Sequence, residues 1–427
     1  MKTIIEQLYF WLFTLCLSFP KMLIYLKAPI LLAFFVLSLV LFLKVGNFKL
    51  RKNYFFFFIG WIFLSLTWVA WSVLKNNEFV AIIDYFRMYV VFFIVYFFVF
   101  ILALRVSIIG IVLRSVCWSS IIIALTNVTL VIVAWRGLDF LPGWFLDGVN
   151  FKVGIHDGYV QMGVNNITSL FFIAPIILII SCTKGQWKAN NGKLVYFSLF
   201  AATLAVALSS RRALYLIFVM SPLLFFFMEV IFFKRIKFGF VNRVGALFLS
   251  LAVFFSVAIA IGDVNYSNLF HRISGVFDHD EDSIRIRQFN ALLTGFFEAP
   301  LMGSGLGGFV DDGRVKEKPW SYELFYMASL YKGGVIGFSL IFALMFWIFI
   351  KAGFNCKSLL RYRSEGLAIL TGISTFCLAS FTNPYFSGFD ALLILALLPV
   401  LASIRVENTD DLVKYSDFSE NPSGRAA

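Results

Sequence analysis

Charged residues and residues that commonly bind metals are scarce in this chain. Only 14% of its 427 residues are Asp, Glu, Lys or Arg, and only three are histidine. A soluble domain carries about a quarter charged residues, so the composition excludes an ordinary soluble domain. The five cysteines lie in or at the ends of apolar runs, without the spacing of a metal site or a disulfide framework. We therefore predict no metal site and no cofactor.

Two sequence signals are also missing. The N-terminal MKTIIEQ leads into an apolar run without a small-residue cleavage site, which indicates a retained first helix. No Walker-type glycine loop is present, which argues against an ATP-driven machine. The glycine-rich residues 303–308 follow a helical pattern and Pro300 instead of a strand. They predict a tight turn that folds the loop back.

Apolar residues are in excess. Hydrophobic residues make up 60% of the chain and include 54 phenylalanines, and the mean hydropathy is +0.87. Apolar runs of about 17 to 25 residues recur, and a helix of about 20 residues spans the hydrocarbon core. The sequence therefore predicts an all-α fold, a polytopic transmembrane helix bundle of about twelve spans.

The net charge of +12 fits basic loops on the cytoplasmic side of a membrane. With the N-terminus placed inside, the loops on that side hold many more lysines and arginines than the short outer loops, so no nucleic-acid partner is expected. The orientation predicts a transmembrane domain over residues 1–404 and a disordered cytoplasmic tail over 405–427. Two long outer loops interrupt the transmembrane domain, at 136–165 and 263–323. The loop at 263–323 is large and partly helical.

Two arginines, Arg211 and Arg212, lie between two apolar runs on the predicted outer side. Two interpretations stay open for them. They form either an interfacial anchor that reaches lipid phosphate or a clamp for phosphate or pyrophosphate, which arginine binds bidentately. Asp84 and Arg87, three residues apart at the start of a span, predict a local ion pair.

The second outer loop contains a helical pattern that ends at Pro300. Its apolar positions predict one buried face: Phe289, Leu292, Leu293, Phe296 and Phe297. At about 100° per residue, Arg285 falls on this face and Arg287 roughly opposite. Arg285 then forms either an anion site at the helix N-terminus or an ion pair with Asp280 or Asp282.

Glu323 opens an apolar run directly after Trp320 and Tyr322. A carboxylate at a membrane boundary costs free energy unless it is solvated, paired or used in function. It is either a general base or a glutamate that favours the dipole of a helix N-terminus, and the sequence leaves both open. The basic segment around Arg314 is either a solvated surface or an attraction for an anionic substrate.

Several of these motifs occur in an order that resembles the O-antigen ligase and O-antigen polymerase superfamily. The segment SRRA holds Arg211, and GVNNI, before a span, holds Asn166. After Arg285, an aromatic residue follows four positions later, a proline fifteen positions later, and then the glycine turn. Glu323 stands eleven positions before the glycine that opens GVIG. The resemblance covers residues 160–390, approximately.

The resemblance implies an inverting glycosyltransferase at the periplasmic face of a bacterial inner membrane, working without metal or nucleotide sugar. Its donor would be a glycan on undecaprenyl pyrophosphate, and its acceptor the non-reducing end of another lipid-linked repeat unit. Ligases of this superfamily carry histidine where this chain has Glu323, so the resemblance favours a polymerase of O-antigen or another surface polysaccharide. Its partners would be membrane lipids, a chain-length regulator and a flippase.

In that function Glu323 would accept the proton of the attacking sugar hydroxyl, while Arg285 and Arg211 would stabilise the departing pyrophosphate. Further substrate contacts are expected from Arg212, Arg287, Arg314, Tyr322 and Asn166. Two alternatives stay open: a ligase that transfers finished polymer to the lipid A core in lipopolysaccharide biosynthesis, and a transporter or flippase. A transporter would need ionisable residues deep in several spans, and we expect almost none there.

Overall fold

The structure, a computed structural model, describes residues 2–44, 51–136, 141–156, 159–209, 211–234, 239–240, 242–245, 248, 279–311, 318–359, 362–381 and 383–404. Helices make up almost all of the described secondary structure: α1 (Lys2–Ser18), α2 (Ile24–Lys44), α3 (Lys52–Leu74), α4 (Phe79–Phe86), α5 (Phe92–Ile101), α6 (Ile108–Arg136), α7 (Gly143–Val149), α8 (Ile167–Cys182), α9 (Gln186–Ser209), α10 (Arg212–Met228), α11 (His279–Glu298), α12 (Phe325–Ser358), α13 (Arg363–Ala379), α14 (Phe389–Leu395) and α15 (Leu397–Leu401). π-Helical turns at Arg87–Val91 and Glu229–Phe233 join α4 to α5 and extend α10, and 3₁₀ turns lie at Leu102–Arg105 and Tyr385–Ser387. The predicted all-helical bundle is confirmed.

One β-hairpin interrupts the helices between α7 and α8. Its strands are β1 (Lys152–His156) and β2 (Tyr159–Gly163), paired antiparallel with Lys152 opposite Gly163. The sequence predicts only an outer loop for this region, so the hairpin is a correction. Strands this short are stabilised by their cross-strand partners, and the pattern of one strand alone does not predict them.

Seven helices in the described part of the chain are long and apolar enough to cross a membrane. They cover Ile24–Leu41, Lys52–Leu74, Phe79–Arg105, Ile108–Ala134, Gln186–Ser209, Ala213–Phe233 and Phe325–Ser358. Two shorter apolar helical stretches cover Ile167–Cys182 and Phe389–Leu401. These helices indicate a membrane protein, as the composition predicts. The predicted span at 244–261 lies almost wholly outside the described residues, as does the tail at 405–427.

The centre of the bundle is α8, which packs against α6, α9, α10 and α13. Every residue of α8 except Thr168 is buried. A helix that is apolar on all sides is buried in protein or in lipid, and protein surrounds α8. The sequence around α8 is therefore apolar because of its position in the bundle, and its 16 residues are short for a span.

A buried ion pair joins the start of α2 to α14. Lys27 Nζ lies 2.7 Å from Asp390 Oδ1 and donates to the Phe19 carbonyl at 2.8 Å. The backbone N–H of Lys21 donates to Asp390 Oδ2 at 2.8 Å. Because buried charges need partners, this network ties the turn between α1 and α2 to the far end of the chain.

Candidate functional site

The site is built around a break in α12. At Gly334 the backbone leaves the helical conformation, with φ 59° and ψ −175°. The break releases carbonyls before it and amides after it, which the segment following α11 satisfies. Ser304 N–H donates to the Tyr331 carbonyl, and Gly305 N–H to the Lys332 carbonyl, both at 3.0 Å. Irregular backbone within an apolar bundle is stable when its polar groups are paired in this way.

Two further hydrogen bonds complete this pairing. Val335 N–H donates to the Pro300 carbonyl at 2.8 Å, and Ile336 N–H to the Leu301 carbonyl at 3.1 Å. The glycine turn (residues 303–308) therefore folds back onto the break. The predicted tight turn is confirmed, and its partner is the backbone of α12.

Gly303 and Gly334 allow this close approach. A Cβ on Gly303 would lie 2.4 Å from the backbone nitrogen of Gly334, and a Cβ on Gly334 would lie 2.3 Å from the Leu301 carbonyl oxygen. Both residues also have positive φ, which side chains disfavour. The glycine turn and the GVIG motif are thus two halves of one backbone contact.

The C-terminal end of α3 and the residues that follow it contact the same turn from the other side. Trp71 Nε1 donates to the Gly303 carbonyl at 3.2 Å, and Asn77 Nδ2 donates to the Ser304 carbonyl at 2.9 Å. The hydroxyl of Ser72 accepts a hydrogen bond from Leu306 N–H. Three distant parts of the chain therefore meet at the turn.

Helix α11 packs against α12 with a face that matches the predicted one in part, since Leu292 is buried and Leu293 and Phe296 are half-buried. Leu292 and Gln288 are fully buried, whereas Phe289 is 42% and Phe297 68% exposed. The buried side continues through Gly295, where a Cβ would lie 2.7 Å from the ring of Tyr331. The buried face is shifted from the apolar pattern because Gly295 and Gln288 also lie on it.

On this buried side Arg285 meets Glu323. Arg285 Nε lies 3.1 Å from Glu323 Oε2, with the two side chains 34% and 22% exposed. Gln288 Oε1 accepts a hydrogen bond from the backbone N–H of Glu323 at 3.1 Å. The side chains of Asp280 and Asp282 lie outside the described part, so only this pairing of Arg285 is seen. A partly exposed Arg–carboxylate pair of this kind remains reachable by a substrate.

The segment 320–323, which carries Glu323, has several further contacts. The Trp320 carbonyl accepts hydrogen bonds from Lys332 Nζ at 2.6 Å and from the Tyr85 hydroxyl at 3.2 Å. The Tyr322 hydroxyl accepts from Val310 N–H at 2.6 Å. Burial raises the pKa of the Tyr322 hydroxyl above its ordinary value, and the hydrogen bond with the Val310 backbone lowers it in part. Tyr322 is therefore a neutral phenol, with its hydroxyl used within the protein.

Arg211 lies at the start of α10 and contacts another loop. Its guanidinium donates to the Tyr385 hydroxyl at 3.3 Å. The next residue, Phe386, packs on Phe325 with ring centroids 5.3 Å apart, and Phe325 is two residues after Glu323. Among the described residues Arg211 makes no hydrogen bond or ion pair with Arg285 or Glu323. The two predicted clusters therefore lie on neighbouring segments without direct contact.

The other predicted substrate contacts are scattered. Arg287 is exposed on the opposite side of α11 from Arg285, and Asn166 is buried with no hydrogen-bond partner for its side chain among the described residues. Arg314 and the side chain of Arg212 lie outside the described part. Asp84 and Arg87 do pair, at 3.0 Å, and Lys318 joins Asp84 at 2.8 Å.

Two features of the site are absent from the sequence predictions. One is Lys332, a buried lysine inside α12. In the sequence it is a single charged residue within an apolar run. The expectation that the spans hold almost no ionisable residues overlooked it. The other is an apolar cavity of about 240 Å³ beside segment 320–323. Aromatic side chains dominate its lining and include Trp61, Trp68, Tyr85, Tyr322, Phe325 and Tyr326.

No protein-family model matches this chain, and a comparison with curated proteins finds no significant relative. The chemistry of the site therefore rests on its own residues. Within the described residues no group of three metal-binding side chains occurs. The reactive groups in contact are one carboxylate and one guanidinium, next to an apolar cavity.

Proposed function

We propose that this membrane protein is a glycosyltransferase that polymerises oligosaccharide repeat units carried on undecaprenyl pyrophosphate. The observation that carries the proposal is the contact between Arg285 and Glu323, which lie 38 positions apart in the chain. Each of the two is a candidate site residue on its own sequence motif, independently of this contact. The pairing of an anion-binding group with a candidate base is what such a transfer requires.

In the proposed reaction the hydroxyl oxygen of an acceptor sugar attacks the anomeric carbon of the donor glycan. The bond from that carbon to the pyrophosphate oxygen breaks, with inversion. Glu323 accepts the hydroxyl proton. Arg285 exchanges its contact with Glu323 for the pyrophosphate, and with Arg211 stabilises the negative charge that develops on it. No cofactor or metal takes part.

The cavity beside segment 320–323 supports a lipid-linked substrate. It lies between α3, α4 and α12 and is lined mainly by apolar atoms. A polyprenyl chain is apolar along its whole length, so such a cavity accepts part of it from the bilayer without exposing it to water. In this arrangement the prenyl chain lies in the cavity and the pyrophosphate at Arg285.

The proposal includes about twelve spans, with loop 263–323 in the periplasm of a bacterial inner membrane and the tail 405–427 in the cytoplasm. Arg212, Arg287, Arg314, Tyr322 and Asn166 remain predicted substrate contacts. The product is O-antigen or another surface polysaccharide, and a flippase and a chain-length regulator are the expected partners.

The test uses a strain deleted for this gene and complemented with variants, with its surface glycan separated on a gel. Arg285→Ala and Glu323→Gln should each reduce long polymer at least about a hundredfold, as expected for the loss of a general base or of transition-state charge stabilisation. Glu323→Gln keeps the shape of the side chain but cannot accept a proton. The matched control is Asn290→Ala, an exposed position on the same helix.

Normal chain length in Arg285→Ala or Glu323→Gln, with both proteins present in the membrane, contradicts the site assignment. The deletion strain itself separates the alternatives. Single repeat units on the surface indicate a polymerase. Long lipid-linked polymer that is not attached to the lipid A core indicates a ligase. Repeat units retained inside the cell indicate a transporter or flippase.

A further inference from the structure

Lys332 is a charged residue held inside the bundle without a carboxylate. It is 4% exposed and lies two residues before the break in α12. Its ammonium donates to the Trp320 carbonyl at 2.6 Å and to the Tyr85 hydroxyl. It also lies over two aromatic rings, 4.6 Å from the centroid of Tyr85 and 5.2 Å from that of Tyr322. No described carboxylate pairs with it.

All of these contacts involve segment 320–323 or Tyr85, which itself binds that segment. The Trp320 carbonyl receives two donors, Lys332 and Tyr85, and the Tyr85 hydroxyl itself accepts from Lys332. Burying an ammonium is costly unless its hydrogen-bond donors find acceptors. The position of Trp320 is therefore coupled to the burial of Lys332, because moving that carbonyl away would remove the principal acceptor of a buried amino group.

Glu323 is only three residues from this carbonyl. Three residues of chain reach about 10 Å when fully extended, and the far end of the segment is bound as well, since Glu323 N–H donates to Gln288. Segment 320–323 is thus attached at both ends, to α12 and α4 on one side and to α11 on the other.

We propose that Lys332 is a positioning residue for Glu323. By binding the Trp320 carbonyl and the Tyr85 hydroxyl, its ammonium determines where segment 320–323 lies and therefore whether the Glu323 carboxylate faces Arg285. The effect on the reaction rests on the proposed function, whereas the effect on the segment can be measured without any substrate.

Substitutions at this cluster separate positioning from packing. Lys332→Met fills a similar volume but has no donor, and Lys332→Arg restores a donor on a larger, planar group. Tyr85→Phe keeps the ring and removes only the hydroxyl. Lys318→Met is the matched control, because Lys318 is on the same connection but makes an exposed pair with Asp84.

The first experiment measures access to the segment in membrane vesicles. The five native cysteines are replaced, Ser321→Cys is introduced, and its rate of reaction with a membrane-impermeant maleimide is followed. Lys332→Met should raise this rate about tenfold, as expected for the loss of the two hydrogen bonds from Lys332 Nζ. Tyr85→Phe should raise it less, Lys332→Arg should lie between parent and Lys332→Met, and Lys318→Met should match the parent.

The second experiment measures transfer by purified protein with lipid-linked repeat units. Lys332→Met should lower kcat about tenfold with KM nearly unchanged, because misplacement of the base affects the reaction more than donor binding. Lys332→Arg should recover part of kcat.

Unchanged labelling in both Tyr85→Phe and Lys332→Met overturns the positioning role, and Tyr85→Phe decides alone if Lys332→Met does not fold. If the variants change the labelling rate but the parent protein forms no polymer, the positioning role stands and the proposed function is rejected.

Discussion

Gln288 is an uncharged residue that binds the backbone of Glu323 beside the charged pair. Its Oε1 accepts the backbone N–H of Glu323 at 3.1 Å, while its Nε2 is buried with no hydrogen-bond partner among the described residues. A buried polar group left unpaired costs about 1–3 kcal/mol. The amide oxygen of Gln288 therefore binds the segment that carries Glu323, whereas its unpaired Nε2 lowers the stability of the fold.

We expect Gln288→Met to lower activity with little effect on stability. The substitution removes one unpaired buried donor but leaves the Glu323 N–H without an acceptor, and these two changes offset each other to within about 1 kcal/mol. Segment 320–323 loses its attachment to α11, so polymer formation should fall about tenfold, the effect of a misplaced base. Gel analysis of polymer and thermal unfolding in detergent check the two parts. Full activity, or a large fall in Tm, contradicts the expectation.

At the scale of single residues, the sequence predicts Arg285 and Glu323 as site residues but misses the residues that contact the segment carrying Glu323. Arg285 and Glu323 follow from motif spacing and from a carboxylate at the start of an apolar run. Gln288 and Lys332 act through contacts with residues 35 and 12 positions away. Their roles depend on which backbone groups face them, and one-dimensional spacing does not contain that information.

Among the elements, the break in α12 determines where the site lies. The apolar run predicted over 324–350 reads as one continuous span, because glycine and valine interrupt neither hydropathy nor length. The structure divides it at Gly334, and only there do Pro300 and Leu301 find backbone partners. The predicted face of α11 is only partly correct for a related reason, since Gly295 allows a close approach where hydropathy indicates none.

Gly303→Ala and Gly334→Ala should each destabilise the protein by at least about 2 kcal/mol, because each Cβ would overlap backbone atoms and each φ is positive. Gly192→Ala is the matched control, since a Cβ there meets nothing within 4 Å. Thermal unfolding of the purified proteins checks this. Equal Tm values for all three variants would show that the backbone contact is weaker than the geometry indicates.

For the whole molecule, the membrane class is readable from composition but the number of spans is not. Helices α1 and α13 have 17 residues and α8 has 16. Helix α8 is apolar because protein surrounds it, and hydropathy does not distinguish that position from lipid. Seven helices satisfy the length and composition of a span in the described part, and the predicted count of about twelve remains a prediction.

The Lys27–Asp390 pair contributes to the stability of the whole bundle because it joins opposite ends of the chain. Asp390→Ala leaves Lys27 buried without its carboxylate, and breaking a buried pair costs about 3–5 kcal/mol. Replacing both residues, with Lys27→Met and Asp390→Leu, should recover most of that loss. Because four of the five cysteines are buried, a thiol-reactive dye reports unfolding. A double variant no more stable than Asp390→Ala contradicts this account.

The glycine turn also affects the order in which the chain folds. Its partners are Ser72 and Asn77, more than 200 positions earlier, and the carbonyls of Tyr331 and Lys332 that follow it. Contacts between segments so far apart form late, after the helices they join are in place. During synthesis a chain that has reached Glu323 already contains every reactive group of the site. It still lacks the broken helix against which α11 packs, so in the proposed function the nascent protein is inactive until α12 has been made.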